Sequence, residues 1–198
     1  MSFARNYIDE SIAVLREIDA AAVEAVAEGL AQVRDTGGRL FVLGVGGSAG
    51  HASHAVNDFR KICGLESYTP TDNVSELTAR INDEGWDTAF SGWLAGSRLG
   101  PSDAVLVFSV GGGSLDPPVS ANIVAAIRLA KAVGASVFGV VGRNGGYTAE
   151  HADASVVIPP LFSEHVTPHT EGLAAVMWHL LVSHPALAVN RTKWESVK

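Results

Sequence analysis

Four short, almost wholly apolar runs recur along the chain and limit what it can fold into. They occupy 39–45 (RLFVLGV), 104–109 (AVLVFS), 135–141 (ASVFGVV) and 154–158 (ASVVI). Runs of this length without alternation predict strands that are covered on both faces. The segments between them have helical periodicity, at 49–63, 87–96, 117–133 and 170–184. Strands that alternate with such helices predict a parallel sheet with helices on both faces, a three-layer α/β sandwich.

The segment before the first run has its own apolar stripe. Apolar residues recur there at spacings of mostly three or four: Ile8, Ile12, Leu15, Ile18, Ala22, Val23, Val26 and Leu30. This spacing predicts one long amphipathic helix over 4–33, ended by Gly37 and Gly38. The helix belongs to no crossover between strands, so we expect it to pack against a partner subunit as well as the sheet. Packing within one chain is the alternative.

Length, charge and cysteine usage narrow the class of protein. A chain of 198 residues that is 47% apolar fits a single domain with a substantial core. The net charge of −7 argues against nucleic acid and anionic membranes as partners, since both attract clustered positive charge. No apolar run reaches the roughly 18 residues of a membrane span. A single cysteine, Cys63, allows no intramolecular disulfide, so we expect a cytoplasmic protein.

Two glycine- and serine-rich segments follow predicted strands. The first reads GVGGSAG over 44–50 and the second reads SVGGGS over 109–114. Glycine lets backbone N–H groups approach an anion, and a helix that begins there adds a favourable dipole. Ligands of open parallel sheets bind at the carboxyl ends of the strands, where such loops meet. The pair of loops therefore favours a phosphate or sugar site over two plain tight turns.

A dinucleotide site is a competing interpretation of the first loop. Gly44, Gly46 and Ala49 match the G-x-G-x-x-A pattern, and Asp72 lies near the distance at which an acidic residue is expected. The segment before Asp72, LESYTPTD over 65–72, contains a proline and no well-formed apolar second strand. The second glycine loop is also surplus to that scheme. The pattern therefore disfavours nucleotide binding.

Two pairs of polar side chains suggest a metal or acid–base site. His54 and Asp58 are four residues apart on one predicted helix, and Glu171 and His179 are eight apart on another, so each pair shares a face. Two imidazoles and two carboxylates suit zinc, iron or manganese. Spacing alone favours a simpler alternative, in which His54 hydrogen-bonds a loop and His179 is an ordinary buried histidine. Further histidines offer alternatives: His51, His151, His165, His169 and His184.

With these motifs the chain resembles the sugar isomerase (SIS) domain family, in its phosphoheptose isomerase branch. The resemblance covers most of the chain and lies in GVGGSAGHASHAVNDF (44–59), INDEGWDTAF (81–90), VFSVGGGS (107–114) and a last helix with Glu171 and His179. It implies a Rossmann-like SIS sandwich.

The resemblance also implies a division of the chain. A single SIS domain would span 1–198, with an oligomerisation helix in 1–37 and the α/β core in 38–198. Members of the branch are homotetramers, and a dimer is the alternative here. They interconvert sedoheptulose 7-phosphate and a manno-heptose 7-phosphate, so the resemblance implies an aldose–ketose isomerase with a phosphorylated sugar as substrate.

Site residues follow from the resemblance position by position. It implies a divalent metal, zinc first, at His54, Asp58, Glu171 and His179. It implies Asp58 as the first base, Glu171 as the second and His179 as the acid. The sugar phosphate would be bound by Ser48, Asp83, Ser109, Gly111, Gly112 and Ser114, with Asp83 near the sugar hydroxyls.

The chain departs from the family at three places. Asp58 stands where the family has Glu, and Glu171 stands where it has Gln. The second loop keeps only two of the hydroxyls, Ser109 and Ser114, of a Ser-Thr-Ser-Gly-Asn-Ser type sequence. These changes leave open a sugar of different length or phosphorylation. They also leave open a non-catalytic SIS protein that binds a sugar phosphate or regulates a partner.

Overall fold

A five-stranded parallel sheet forms the centre of the molecule. The structure, a computed structural model, describes residues 2–193 and Val197. The sheet has the order β2-β1-β3-β6-β7, and a separate antiparallel hairpin pairs β4 with β5. The strands are β1 (Leu40–Leu43), β2 (Ser67–Tyr68), β3 (Ala104–Ser109), β4 (Ser114–Leu115), β5 (Pro118–Val119), β6 (Ser136–Val141) and β7 (Ala154–Val157).

Helices cover both faces of this sheet, which confirms the predicted three-layer α/β class. One apolar cluster joins the sheet to α1, α2, α3 and α8, and a second joins its other face to α4, α5 and α6. Within the described residues, no helix is long and apolar enough to span a bilayer. The helices are α1 (Phe3–Arg16), α2 (Ala20–Asp35), α3 (Gly47–Lys61), α4 (Val74–Glu84), α5 (Ala89–Gly96), α6 (Ala121–Val133), α7 (Gly146–His151) and α8 (Val166–Ser183).

The single helix predicted over 4–33 is two helices. The chain leaves the helical path between α1 and α2, where the Asp19 carboxylate accepts a hydrogen bond from the Ala21 N–H at 2.9 Å. Aspartate is a strong helix N-cap because it satisfies an N–H that the new helix leaves free. The two helices differ in burial: α2 contributes Val26 and Leu30 to the core, whereas Val14 is the buried residue of α1.

Other boundaries differ from prediction for local reasons. The helix expected from 117 begins at Ala121, because the hairpin β4–β5 occupies 114–119. The helix expected from 170 begins one turn earlier, at Val166. The helix expected from 87 begins at Ala89, after a 3₁₀ turn at Trp86–Thr88. A short strand, β2, was not expected within 65–72, yet Ser67 pairs with Leu40 of β1.

The order of the strands creates a crevice at one edge of the sheet. β1 and β3 are neighbours, yet α3, which follows β1, and α6, which follows β3, lie on opposite faces. The loops after these two strands therefore diverge at a topological switch point, where open α/β sheets bind their ligands. Both glycine-rich segments lie at this point.

Candidate active site

A cavity of about 900 Å³ opens at the switch point. Both glycine loops, the β4–β5 hairpin, the start of α7 and one residue of α8 form its walls. Its lining includes most of the residues expected to bind phosphate, together with one of the expected catalytic carboxylates: Ser48, Ser109, Gly111, Ser114 and Glu171. The structure thus brings residues from separate parts of the sequence to one cavity.

The first glycine loop places the start of α3 at this cavity. Gly46 has φ 61° and ψ −126°, a conformation that side chains rarely adopt, and its carbonyl accepts a hydrogen bond from the Ala49 N–H at 3.0 Å. Ser48 lies in the first turn of α3 and is buried against the cavity. The N–H groups and dipole of a helix start favour an anionic ligand there.

The second loop is fastened by its carbonyl groups. The Gly112 carbonyl accepts hydrogen bonds from the Thr148 N–H at 2.9 Å and the Thr148 hydroxyl at 2.7 Å, and the Gly113 carbonyl accepts one from the Tyr147 N–H at 2.9 Å. Ser109 Oγ accepts a hydrogen bond from the Gly112 N–H at 3.0 Å. Within residues 2–193, the N–H groups of Gly111 and Gly113 have no partner. The loop therefore offers donors to a ligand.

Glu171 stands at the start of α3. The space beside Gly47 is filled by this carboxylate, so that a Cβ at Gly47 would lie 2.6 Å from Glu171 Oε1. Glu171 also lines the cavity together with Ser48. A carboxylate is stabilised at a helix N-terminus. Sequence spacing had grouped Glu171 with the metal ligands, whereas the structure puts it at the end of the cavity where phosphate is expected.

The other three expected ligands do come together. Donor atoms of His54, Asp58 and His179 all lie within 4.8 Å of one another. His54 Nε2 is 3.7 Å from Asp58 Oδ2. Glu171 precedes His179 by eight residues, about 12 Å along a helix axis, and is not a member of this group. Since Gly47 faces Glu171 and Asp58 faces His179, α3 and α8 run in the same direction along the site.

Hydrogen bonds fix the orientation of two of these side chains. His179 Nδ1 lies 2.7 Å from the Ala175 carbonyl, so Nδ1 carries the proton and Nε2 keeps its lone pair. Asp58 Oδ1 accepts a hydrogen bond from Asn57 Nδ2 at 2.8 Å. Such outer contacts are typical of metal-binding histidines and carboxylates. The donor set therefore fits a divalent metal.

Asp83 is outside this arrangement. It lies at the exposed end of α4, where Asn82 Nδ2 donates to its carboxylate at 2.7 Å, and it does not line the cavity in the described part of the chain. The structure of a single chain thus leaves its predicted contact with the sugar untested.

Sequence reasoning missed the far wall of the cavity. Arg128, Arg143, Tyr147 and His151 all line it, and the rings of Tyr147 and His151 stack with centroids 3.8 Å apart. A signal was available, because the segment GRNGG over 142–146 follows the apolar run of β6 just as the other two glycine loops follow theirs.

Comparison with known proteins identifies the family. The SIS domain family matches residues 6–142. The chain is 33% identical to the phosphoheptose isomerase of Roseiflexus sp. over 98% of its own length and 96% of the relative's. It is 34% identical to the lincomycin biosynthesis protein LmbN of Streptomyces lincolnensis, over 93% of this chain and 69% of LmbN. The structure of phosphoheptose isomerase GmhA from Neisseria gonorrhoeae superposes with a TM-score of 0.78 at 25% identity, over 91% of this chain and 96% of that one.

The chain belongs to the SIS domain family. It belongs, more particularly, to the phosphoheptose isomerase branch, which confirms the resemblance seen in the sequence. Relatives named phosphoheptose isomerase at about 30% identity over most of the chain make it an aldose–ketose isomerase.

Proposed function

We propose that this protein isomerises a seven-carbon sugar phosphate between its ketose and aldose forms, sedoheptulose 7-phosphate being the ketose. The observation that carries the proposal is the arrangement along α3 and α8. A donor-lined cavity lies at the start of α3 and beside Glu171 of α8, and the group of His54, Asp58 and His179 lies further along both helices. The parts of a sugar phosphate follow the same order, with the anion at one end and the reacting carbons at the other.

The cavity end suits the phosphate. Ser48 and Ser114 supply hydroxyls, and the loop that contains Gly111 supplies N–H groups. Arg143 on the same wall adds a positive charge. Gly112 takes part by shaping the loop through its bond to Ser109. Such oriented donors bind phosphate without a large net positive charge on the protein.

The other end suits proton transfer between adjacent carbons. Isomerisation through an enediol needs a base for the carbon-bound proton and a group that exchanges protons with the two oxygens. Asp58 is the proposed base, and His179 is the proposed acid in the state in which its Nε2 carries a proton in place of a metal ion. Glu171, which lines the cavity, is the second carboxylate able to accept a proton.

His54, Asp58 and His179 would hold a divalent metal, zinc first among the candidates. Two imidazoles and one carboxylate form a familiar catalytic zinc set that leaves a coordination position open. When bound, the metal would supply Lewis-acid polarisation of the sugar carbonyl. Glu171 remains a candidate fourth ligand.

The exposed apolar face of α1 supports assembly into a homotetramer, with a dimer as the smaller alternative. Phe3, Ile8, Ile12 and Leu15 are all exposed in the single chain. Covering such surface contributes about 25 cal/mol per Å². We propose that 1–37 forms the subunit contact and that 38–198 forms the catalytic core. Light scattering that finds a monomer at micromolar concentration would contradict this.

The cytoplasmic location stays a prediction. Cys63 is buried, and burial raises the pKa of its thiol to about 12. A thiol of this kind is unreactive and places no demand on the redox state of the compartment.

Incubation with ketose phosphates of five to eight carbons, in deuterated water, tests the function directly. We expect conversion of the seven-carbon substrate and incorporation of deuterium at C2, because the base exchanges its proton with solvent. Asp58→Asn and His179→Asn should each abolish both, and His54→Asn should cost less rate because it removes a ligand and no acid or base. Binding of a sugar phosphate without any conversion, by the metal-free and the metal-loaded protein alike, would instead indicate a regulatory SIS protein.

A further inference from the structure

A second group of potential metal ligands lies between α1 and the start of α8. Ligand atoms of Glu10, His165 and His169 all lie within 4.8 Å of one another. One carboxylate oxygen, Glu10 Oε2, is 2.7 Å from His165 Nδ1 and 3.0 Å from His169 Nε2. These residues share no member with the proposed active site, and no predicted role used them.

Hydrogen-bond distances orient His169 within this group. The Ser11 hydroxyl donates to the Tyr7 carbonyl at 2.9 Å, and its oxygen lies 3.4 Å from His169 Nδ1. The other ring nitrogen, His169 Nε2, faces the Glu10 carboxylate at 3.0 Å. An imidazole nitrogen in this position can share either a proton or a metal ion with the carboxylate.

Burial makes this group part of the fold. His169 is only 4% exposed, and the ring of Tyr7 stacks on it with centroids 4.6 Å apart. The side chains of Glu10 and His165 are partly buried beside it. Two imidazoles and a carboxylate in this arrangement can share one metal ion.

We propose that Glu10, His165 and His169 form a second divalent-metal site, of the zinc class, that fastens α1 to α8. His165 and His169 are four residues apart where α8 begins, the spacing that lets two imidazoles on one helix bind the same ion. Two histidines and a glutamate are a recognised zinc ligand set. Ligands at about 2.0–2.1 Å in a tetrahedral site lie about 3.3 Å apart, so the observed pairs need to separate by only a few tenths of an ångström.

The site would hold the N-terminal helix in place. Val14 is the buried residue of α1, so apolar packing alone gives this helix little attachment to the rest of the chain. A metal that bridges Glu10 to the first turn of α8 would supply that attachment. Its role is structural and separate from the isomerase chemistry proposed above.

Metal titration of chelator-treated protein tests the proposal. Co²⁺ is the probe, since its visible absorption reports tetrahedral sites, and bound Zn²⁺ is counted by elemental mass spectrometry. We expect Glu10→Gln, which keeps the size and hydrogen bonds of the side chain, to bind one equivalent per chain less than the wild type. Asp9→Asn removes the same charge from an exposed position on α1 and should bind as the wild type does.

Two further variants distinguish metal binding at this site from metal binding at the proposed active site. His179→Asn should lose the equivalent at the active site and keep the one at Glu10, and Glu10→Gln with His179→Asn should bind none. Loss of isomerisation in His179→Asn therefore does not affect the test. Should Glu10→Gln fail to fold, His165→Asn replaces it. Unchanged stoichiometry and Co²⁺ absorption in folded Glu10→Gln or His165→Asn would overturn the proposal and leave these three side chains as a hydrogen-bonded group.

Discussion

The carboxylate of Glu171 occupies the space that a side chain at Gly47 would need. A Cβ added at Gly47 would lie 2.6 Å from Glu171 Oε1. One residue begins α3 and the other lies in α8, so the contact sets how closely α8 approaches the start of α3 at the cavity. The absence of a side chain at Gly47 is therefore a condition for the placement of Glu171.

Gly47→Ala should separate activity from stability. The atom it meets is the end of a flexible side chain, so Glu171 can move aside and the fold survives. Alanine is also a better helix former than glycine, by up to about 1 kcal/mol. A displacement of about 1 Å at a reacting group can cost ~10²-fold in rate. We expect kcat/KM for the sugar phosphate to fall by about that factor while the melting temperature is kept.

Gly50→Ala is the matched control. Gly50 lies in the same helix, and a Cβ there would meet nothing within 4 Å. Its melting temperature should be no lower than that of the wild type, and its kcat/KM should equal that of the wild type. Equal activity of the two variants would show that the position of Glu171 does not matter to the reaction.

Glu171→Gln returns the residue that the family has at this position. It removes a negative charge from the cavity that is proposed to bind phosphate, so KM should fall. It also removes a carboxylate that can accept a proton, and general-base contributions are about 10²–10⁴-fold, so kcat should fall. Steady-state kinetics measure the two separately. An unchanged kcat with a lower KM would assign Glu171 to binding alone and leave Asp58 as the base.

Neighbouring glycines of the second loop should respond differently to substitution. Gly112 has φ 70°, and a Cβ there would collide with the Gly145 carbonyl, so Gly112→Val is unsuitable as a probe of phosphate binding. It should lower the free energy of unfolding by more than about 3 kcal/mol. At Gly111 a Cβ meets nothing within 4 Å, so Gly111→Ala should stay folded.

Phosphate binding is the readout for this loop. Gly111→Ala places a methyl group beside an N–H of the cavity wall, so we expect its affinity for inorganic phosphate to fall about tenfold, measured by calorimetry. Urea unfolding of both variants gives the stability comparison. Wild-type phosphate affinity in folded Gly111→Ala would count against the loop as the phosphate site.

The buried carboxylate of Asp103 should make stability depend on acid. Asp103 accepts hydrogen bonds from the Arg39 N–H at 2.9 Å, from Arg39 Nη2 at 2.7 Å and from the Gly100 N–H at 2.9 Å. Burial by itself would raise the pKa of Asp103, but these bonds outweigh it and hold the pKa below its usual value. Asp103→Asn should cost about 2 kcal/mol at pH 7.

The pH dependence of this cost follows from the lowered pKa. The carboxylate stabilises the fold fully above its unfolded pKa of about 3.9, and the contribution is lost as pH falls through the folded value. The difference between wild type and variant in urea unfolding should therefore be smaller at pH 3 than at pH 7. Asp35→Asn, whose exposed carboxylate pairs with Arg34, is the control and should stay within about 1 kcal/mol of the wild type. A constant difference across pH would contradict the assignment.

The strands could be predicted from sequence because burial on both faces leaves a plain signal. The runs 104–109 and 135–141 became β3 and β6 with at most one residue of change at an end. Helix α4 gave a weaker signal, because none of its residues is fully buried and only Leu77 and Ile81 pack against the core. β2 is only two residues long. Helices and strands that bury few side chains leave only a weak apolar pattern in the sequence.

The sequence allowed the residues of the candidate site to be predicted, but not their arrangement in space. The four-residue spacing of His54 and Asp58 places both on one helix face, and their meeting with His179 required the packing of α3 on α8. The Glu171 carboxylate fills the space beside Gly47, which is open because glycine has no side chain. The two residues are far apart in sequence, so this contact could not be predicted. Asp19 is a residue type that commonly caps helices, and it divides the N-terminal segment into two. The apolar spacing continues on both sides of it, and this spacing led to the prediction of a single helix.

The position of Glu171 also has a consequence for turnover. If the cavity binds phosphate as proposed, the phosphate of every ligand would meet the Glu171 carboxylate beside the donors. Substrate and product carry the same phosphate, so this repulsion would shorten the time that each stays bound. Where release of the product limits an enzyme's rate, weaker binding raises that rate. The expected cost is a lower affinity, which matters when the substrate concentration is low.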